Sequence, residues 1–126
     1  SLIANFNLEA NVKFLSAIND NELGWLYQNC KLFVIPSSTE GFCFPLLEAL
    51  HFGNRVVCSD IPIFREIGTA NCIYFSLSGD AVENLSQALI QVFDRQVGLD
   101  QAKNNRFEKL TIAQQYLNLY KMIMNN

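Results

Sequence analysis

Two carboxylates with seven residues between them bracket an aromatic, glycine-led turn, Glu40-Gly41-Phe42-Cys43-Phe44-Pro45-Leu46-Leu47-Glu48. Pro45 suits the first turn of a helix, because it lacks the N–H that a helix start leaves unpaired. The amides of Gly41, Phe42, Cys43 and Phe44 then lead into that helix's amino terminus. Free N–H groups there, with the helix dipole behind them, attract anions. Gly41 lets the chain turn and lets a ligand come close to the main chain. Glu48 falls about one turn into the helix, and helical side chains lean back toward the amino end, so it faces the same pocket. A carboxylate among Leu46, Leu47, Leu50 and Phe52 is costly unless it accepts hydrogen bonds, and sugar hydroxyls are suitable donors. The same two acids also fit a purely structural role, one capping the helix and the other favoured by its dipole.

Strands and helices must alternate to hold this stretch in place. NVKFLS (Asn11–Ser16) reads as a strand, and DNELGWLYQNC (Asp20–Cys30) as a helix capped by Asp20, with Leu23, Leu26, Tyr27 and Cys30 as its apolar face. KLFVIPS (Lys31–Ser37) is a continuous apolar strand of the kind buried on both sides. FPLLEALHFG is a helix with Gly53 past its end, RVVCSD (Arg55–Asp60) a third strand, IFREIG a helical turn and CIYFS (Cys72–Ser76) a fourth strand. Gly79–Gln96 is helical with Val82, Leu85, Ala88, Leu89, Val92 and Phe93 on one side. From about Leu99 to Met124 the chain is helical and polar except at Ala113, Leu117, Tyr120 and Ile123. Such alternation implies βαβ units and a Rossmann-like α/β fold, a parallel sheet with flanking helices. Ligands of such sheets bind beyond the carboxyl ends of the strands. The loops there are 16–19, 37–44, 59–63 and 76–79, and the paired carboxylates occupy the second.

Composition narrows the function. The 126 residues make one domain, 1–126, and at 50% apolar and 17% charged they exclude disorder. A net charge of −3 and a pI near 5.0 argue against nucleic acid as a partner. No apolar run approaches the ~20 residues of a membrane span. A basic-then-apolar leader is absent and the first residue is Ser1, so the chain reads as a piece of a longer, cytoplasmic protein. Cys30, Cys43, Cys58 and Cys72 form no C-x-x-C pair and His51 is the single histidine, which points to buried thiols in a reducing compartment and to no metal site.

PSSTEGFCFPLLEALHFGNRVVCSD resembles the signature, including the E-x7-E element, of the retaining, nucleotide-sugar-dependent glycosyltransferases of family 4 (glycosyl transferases group 1). These have the two-domain GT-B fold. The resemblance extends to NVKFLSAINDNELGWLYQNCKLFVIPS before it. DIPIFREIGTANCIYFSLSGDAVENLSQALIQVF and RFEKLTIAQQYLNLYKMI continue it afterwards, so nearly the whole chain is covered in order. It implies that Glu40 is a catalytic residue contacting hydroxyls of the donor sugar, and that Glu48 holds the ribose hydroxyls. It implies that Gly41, Phe42, Cys43 and Phe44 form the turn whose amides meet sugar and diphosphate. Ser16, Ala17 and Ile18 fall where the family cradles the nucleobase. Cys43 and Ser16 stand where glycine is common. The implied reaction moves a glycosyl group from a nucleotide diphosphate sugar to an acceptor hydroxyl with retention, using no metal and no further cofactor. The glycan or other acceptor belongs to an amino-terminal domain that is absent here, and the full-length enzyme is compatible with peripheral membrane association.

The family's basic pair that neutralises the diphosphate lies in strands upstream of this chain, while Lys13, Lys31 and Arg55 sit at the opposite ends of their strands. The chain alone is therefore expected to hold a diphosphate weakly and to transfer no sugar. The family strand order also sets absent strands between NVKFLS and KLFVIPS. A non-catalytic sugar-nucleotide-binding or assembly module, or a regulatory domain binding another phosphate ligand at the same edge, is the alternative. His51, Asp60, Glu66, Trp25 and Tyr27 are read as structural, in caps, ion pairs or helix faces.

Overall fold

The structure, a computed structural model, describes residues 1–94. The helix expected between Leu99 and Met124 lies outside them. A single turn, α1 (Leu2–Asn5), opens the chain, followed by α2 (Asp20–Asn29), β1 (Phe33–Ile35), α3 (Phe44–His51), β2 (Val56–Ser59), α4 (Pro62–Ile67), β3 (Cys72–Phe75) and α5 (Ala81–Asp94). The three strands form one parallel sheet in the order β1-β2-β3, with Phe33 opposite Val56 and Val56 opposite Cys72. Alternation along β2 builds two cores from one strand. Val56 and Cys58 turn toward Tyr27, Leu46, Leu50, Phe64 and Ile67 beneath α2, α3 and α4, while Val57 turns toward Phe75, Ala88 and Val92 beneath α5. All four residues of β2 are buried, as a strand covered on both faces requires.

Most expected elements are present, with local corrections. NVKFLS is not a strand: residues 12–16 have no regular structure, and Phe14 and Leu15 are 86% and 59% exposed. A strand needs a neighbour for its backbone groups, and no described residue pairs with the outer edge of β1. The cap of α2 is Asn19 rather than Asp20. Its Oδ1 accepts from the Glu22 amide at 3.0 Å while Glu22 Oε2 accepts from the Asn19 amide at 2.8 Å, a reciprocal capping box. Gly53 follows α3 with a φ of 77°, as its position past the helix end requires. Trp25 stands outward at 61% exposed. On α5, Ala88 and Val92 are buried, but Val82 and Phe93 are 77% and 66% exposed, so the inward stripe is narrower than the sequence implies. All four cysteines are free, and three are buried, with Cys30 half-buried.

Two backbone positions control the turns around this framework. Cys43 caps α3 in the left-handed region with a φ of 61°. That conformation costs a residue bearing a Cβ about 1–2 kcal/mol. The left-handed turn is thus at Cys43 and not at Gly41, whose φ is ordinary and whose missing Cβ faces open space. Gly68 is sterically required after α4, because a Cβ there would lie 2.6 Å from the Phe64 carbonyl oxygen and collide with the Tyr74 hydroxyl. Tyr74 donates that hydroxyl to the same Phe64 carbonyl at 3.2 Å.

Gly68→Ala should destabilise the chain by about 1–3 kcal/mol in urea titrations, the range of overpacked substitutions. The loss should shrink in a Tyr74→Phe background, which removes one of the two colliding oxygens. At position 43 the expected order is unusual. Cys43→Ala and Cys43→Gly both lose the packed sulfur, but only glycine releases the left-handed strain, so the glycine variant should unfold about 1 kcal/mol later than the alanine variant. An alanine variant as stable as the glycine variant would contradict the strain.

Candidate functional site

The paired carboxylates lie beyond the carboxyl end of β1. The chain leaves Ile35, passes Pro36 and Ser37, and reaches Glu40 before the left-handed turn at Cys43 starts α3. Glu48 is one turn further along α3. Both acids act electrostatically on the Cys43 thiol. Burial pushes the Cys43 thiol up, a hydrogen bond from the Leu46 amide pulls it down, and the charges of Glu40 and Glu48 each push it up again. Glu40, Cys43 and Glu48 are therefore an acidic cluster in the electrostatic sense, with the sulfur buried and Glu48 exposed.

Each carboxylate is held at one oxygen by a neutral hydroxyl. Ser37 Oγ donates to Glu40 Oε1 at 2.7 Å, and the Tyr27 hydroxyl donates to Glu48 Oε2 at 2.9 Å. Neither acid has an ion pair among the described residues; Arg65 with Asp60 is the pair found there. Arg65 follows β2 at the same end of the sheet, but Asp60 takes it up. Its Nε and Nη2 each donate to one Asp60 oxygen at 2.7 Å, and its guanidinium lies 3.8 Å over the Tyr74 ring. The Arg65 hydrogen bond holds the Asp60 carboxyl below its usual range. Arg55 donates to the Val92 carbonyl at 3.4 Å, near the end of α5. No described guanidinium or ammonium group is thus bonded to Glu40 or Glu48.

The turn residues differ in what they present. Gly41 and Phe44 are exposed and Phe42 is half-buried, its ring edge-on to Phe44 at 5.3 Å. The amino end of α3 carries no side-chain cap. Ser16, Ala17 and Ile18 are exposed, with Ala17 at a φ of 54°. No hydrogen bond or ion pair among the described residues ties them to Glu40 or Glu48. Their link is α2, which begins next to them at Asp20 and carries Tyr27 about 10 Å further along its axis. His51 packs edge-on against Phe52 at 5.7 Å in the last turn of α3.

Ser37 and Tyr27 are the site residues that sequence reasoning missed. Ser37 stands three positions before Glu40 in a Pro-Ser-Ser-Thr turn, a spacing at which local hydroxyl bonds form, so its signal was present. Tyr27 gave no such signal. Its partner is 21 residues away, and the pairing depends on how α2 lies across α3.

A groove of about 480 Å³ lies elsewhere, between β3 and α5, where Ser76, Asn84, Gln87 and Gln91 line it. It includes none of the candidate residues, and its lining has no charged group to match the acidic cluster. Among the described residues no group of three His, Cys, Asp or Glu side chains could hold a metal ion, and no helix is long and apolar enough to cross a membrane.

Comparison with known proteins gives the chain a family. The family described as "Glycosyl transferases group 1" matches residues 1–111. The chain is similar to "O-antigen chain mannosyltransferase B" of Escherichia coli, 34% identical over 89% of this chain and 30% of that protein. It is also similar to "N,N'-diacetylbacillosaminyl-diphospho-undecaprenol alpha-1,3-N-acetylgalactosaminyltransferase" of Campylobacter jejuni, at 31% over 91% of this chain and 32% of that one. "O-antigen chain mannosyltransferase RfbU" of Salmonella typhimurium is 33% identical over 68% of this chain and 26% of its own length. The chain thus spans about a third of the length of these relatives or less. No solved structure matches it. With the match covering most of its length and the parallel Rossmann-like sheet beneath it, the chain belongs to the glycosyl transferases group 1 family.

Proposed function

We propose that this chain binds the donor of a glycosyltransferase, a nucleotide diphosphate sugar, over residues 40–48. The observation that carries this reading is the pair of carboxylates flanking Cys43, each fixed at one oxygen by a hydroxyl and neither neutralised by a described cation. Ionised carboxylates only accept hydrogen bonds, so they select a ligand rich in donors. Sugar and ribose hydroxyls are such donors; phosphate oxygens are not.

In this reading Glu40 contacts hydroxyls of the transferred sugar and Glu48 accepts from the ribose diol. The diphosphate lies toward the amino end of α3, where the positive end of the helix dipole favours an anion. Gly41 fits this placement, since open space where its Cβ would be allows close approach. As the bond between the anomeric carbon and the diphosphate oxygen breaks, negative charge grows on the leaving group, and fixed amides with the helix dipole stabilise it. The acceptor oxygen then bonds to the anomeric carbon with retention, and its proton passes to the departing diphosphate. A metal is not required if basic side chains of the longer protein complete the diphosphate site. Ser16, Ala17 and Ile18 serve the nucleobase, and the reaction takes place in the cytoplasm. Relatives are named for mannosyl and N-acetylgalactosaminyl transfer, so donors of those two sugars head the panel to be screened.

Titration of nucleoside diphosphates and their sugar conjugates by calorimetry or saturation-transfer NMR tests the assignment. Hydrogen bonds to charged groups are worth about 1.5–3 kcal/mol, so losing them weakens binding roughly tenfold to a hundredfold. Glu48→Gln should lower the affinity of the diphosphate and of the intact donor by similar factors, because both carry the ribose. Glu40→Gln should weaken the intact donor and spare the diphosphate. Equal losses for the two ligands in Glu40→Gln would remove Glu40 from the sugar site.

A further inference from the structure

We propose that Tyr27 is a positioning residue that makes the site require a ribose 2′-hydroxyl, by fixing the acceptor atoms of Glu48. This deepens the donor-binding reading and rests on it.

The geometry begins with the tyrosine ring. Tyr27 is 5% exposed, lies parallel to Phe52 with ring centroids 5.5 Å apart, and is tilted against Phe33 at 5.3 Å. Contacts from two elements, β1 and the residue after α3, fix the ring plane and with it the hydroxyl oxygen. That hydroxyl donates to Glu48 Oε2 at 2.9 Å. Glu48 is exposed, and an unrestrained glutamate at a helix surface samples several rotamers that binding must narrow. The buried hydroxyl narrows them in advance.

The direction of the bond decides what the ligand must offer. Burial, then the hydrogen bond to Glu48, pushes the Tyr27 hydroxyl well above its ordinary range, so it stays protonated and acts as the donor. With one lone pair of Oε2 engaged, every acceptor position left on the carboxylate is aimed by Tyr27 and can be met only by another donor. A ribose diol supplies two donors side by side. A 2′-deoxyribose supplies one, and leaves part of a pre-oriented acceptor unmatched.

The test compares guanosine and uridine diphosphates with their 2′-deoxy counterparts on wild type, Tyr27→Phe, Glu48→Ala and the double variant, by saturation-transfer NMR. Wild type should favour at least one ribonucleotide over its deoxy form by roughly tenfold or more. Tyr27→Phe keeps the stacked ring and should cut that preference to about threefold or less, while leaving the deoxy affinity within about twofold of wild type. In the Glu48→Ala background, Tyr27→Phe should add no further loss. A purely structural tyrosine would instead weaken ribo and deoxy ligands alike, which overturns the proposal. Full preference retained in Tyr27→Phe but lost in Glu48→Ala also overturns it, while sparing the role of Glu48. Wild type that binds no diphosphate, or binds both forms equally, overturns the donor reading beneath it. If Tyr27→Phe fails to fold, 3-fluorotyrosine at position 27 gives the second measurement. It is nearly isosteric and a stronger donor, so the preference should hold or rise, and a fall would refute the assignment.

Discussion

The left-handed turn at Cys43 is the constraint from which the site follows. A chain leaving a parallel strand travels away from the sheet, and it must reverse sharply to start a helix that packs back on it. Here the reversal occurs at a single residue with a φ of 61°. It separates the loop that ends at Phe42 from α3, which starts at Phe44. Glu40 precedes it and Glu48 follows it, and both still act electrostatically on the Cys43 thiol. Moving the turn by one residue would rotate α3 by about 100° about its axis. Leu46, Ala49 and Leu50 would then leave the core they now fill.

The second consequence is electrostatic. Gathering two carboxylates around a buried thiol is unfavourable unless their lone pairs are occupied, and cations would do this most strongly. The protein uses hydroxyls instead, one from Ser37 and one from Tyr27, and directs its nearby guanidinium to Asp60 and Tyr74. Hydroxyls orient a carboxylate without cancelling its charge. Each carboxylate is therefore oriented by a hydroxyl and bonded to no described cation, the arrangement on which the proposed reading of ligand hydroxyls rests.

Much of this could be read from the residues, and the exceptions share a cause. β1, β2 and β3 announced themselves through continuous apolar runs, and α3 through Pro45 and Gly53, because these signals are local and depend on backbone chemistry alone. The loop carrying Glu40 was legible for the same reason. NVKFLS has the composition of a strand, but strand formation depends on a neighbour that a local pattern cannot supply. Asn19 and Asp20 are both good caps, and which one acts is decided by which can exchange bonds with Glu22. Gly41 drew attention as the turn residue because glycine tolerates a left-handed φ, whereas the strained position belongs to Cys43. Tyr27 was legible as a core aromatic but not as a hydrogen-bond donor, since its role arises from the crossing of two helices. Val82 and Phe93 follow the helical period yet stand exposed on α5, outside the core that Ala88 and Val92 join.

The outer edge of β1 has a bearing on how the chain behaves in concentrated solution. No described residue pairs with it, and Val34 on that strand is 38% exposed. Phe14 and Leu15, in a segment with strand-forming composition, also stand free of the core. Unpaired strand edges beside apolar side chains template pairing between molecules. A net charge of −3 spread over 126 residues offers little repulsion to oppose it. Association between copies of the chain is therefore expected to begin at unpaired strand edges such as this one, with the folded sheet behind it intact.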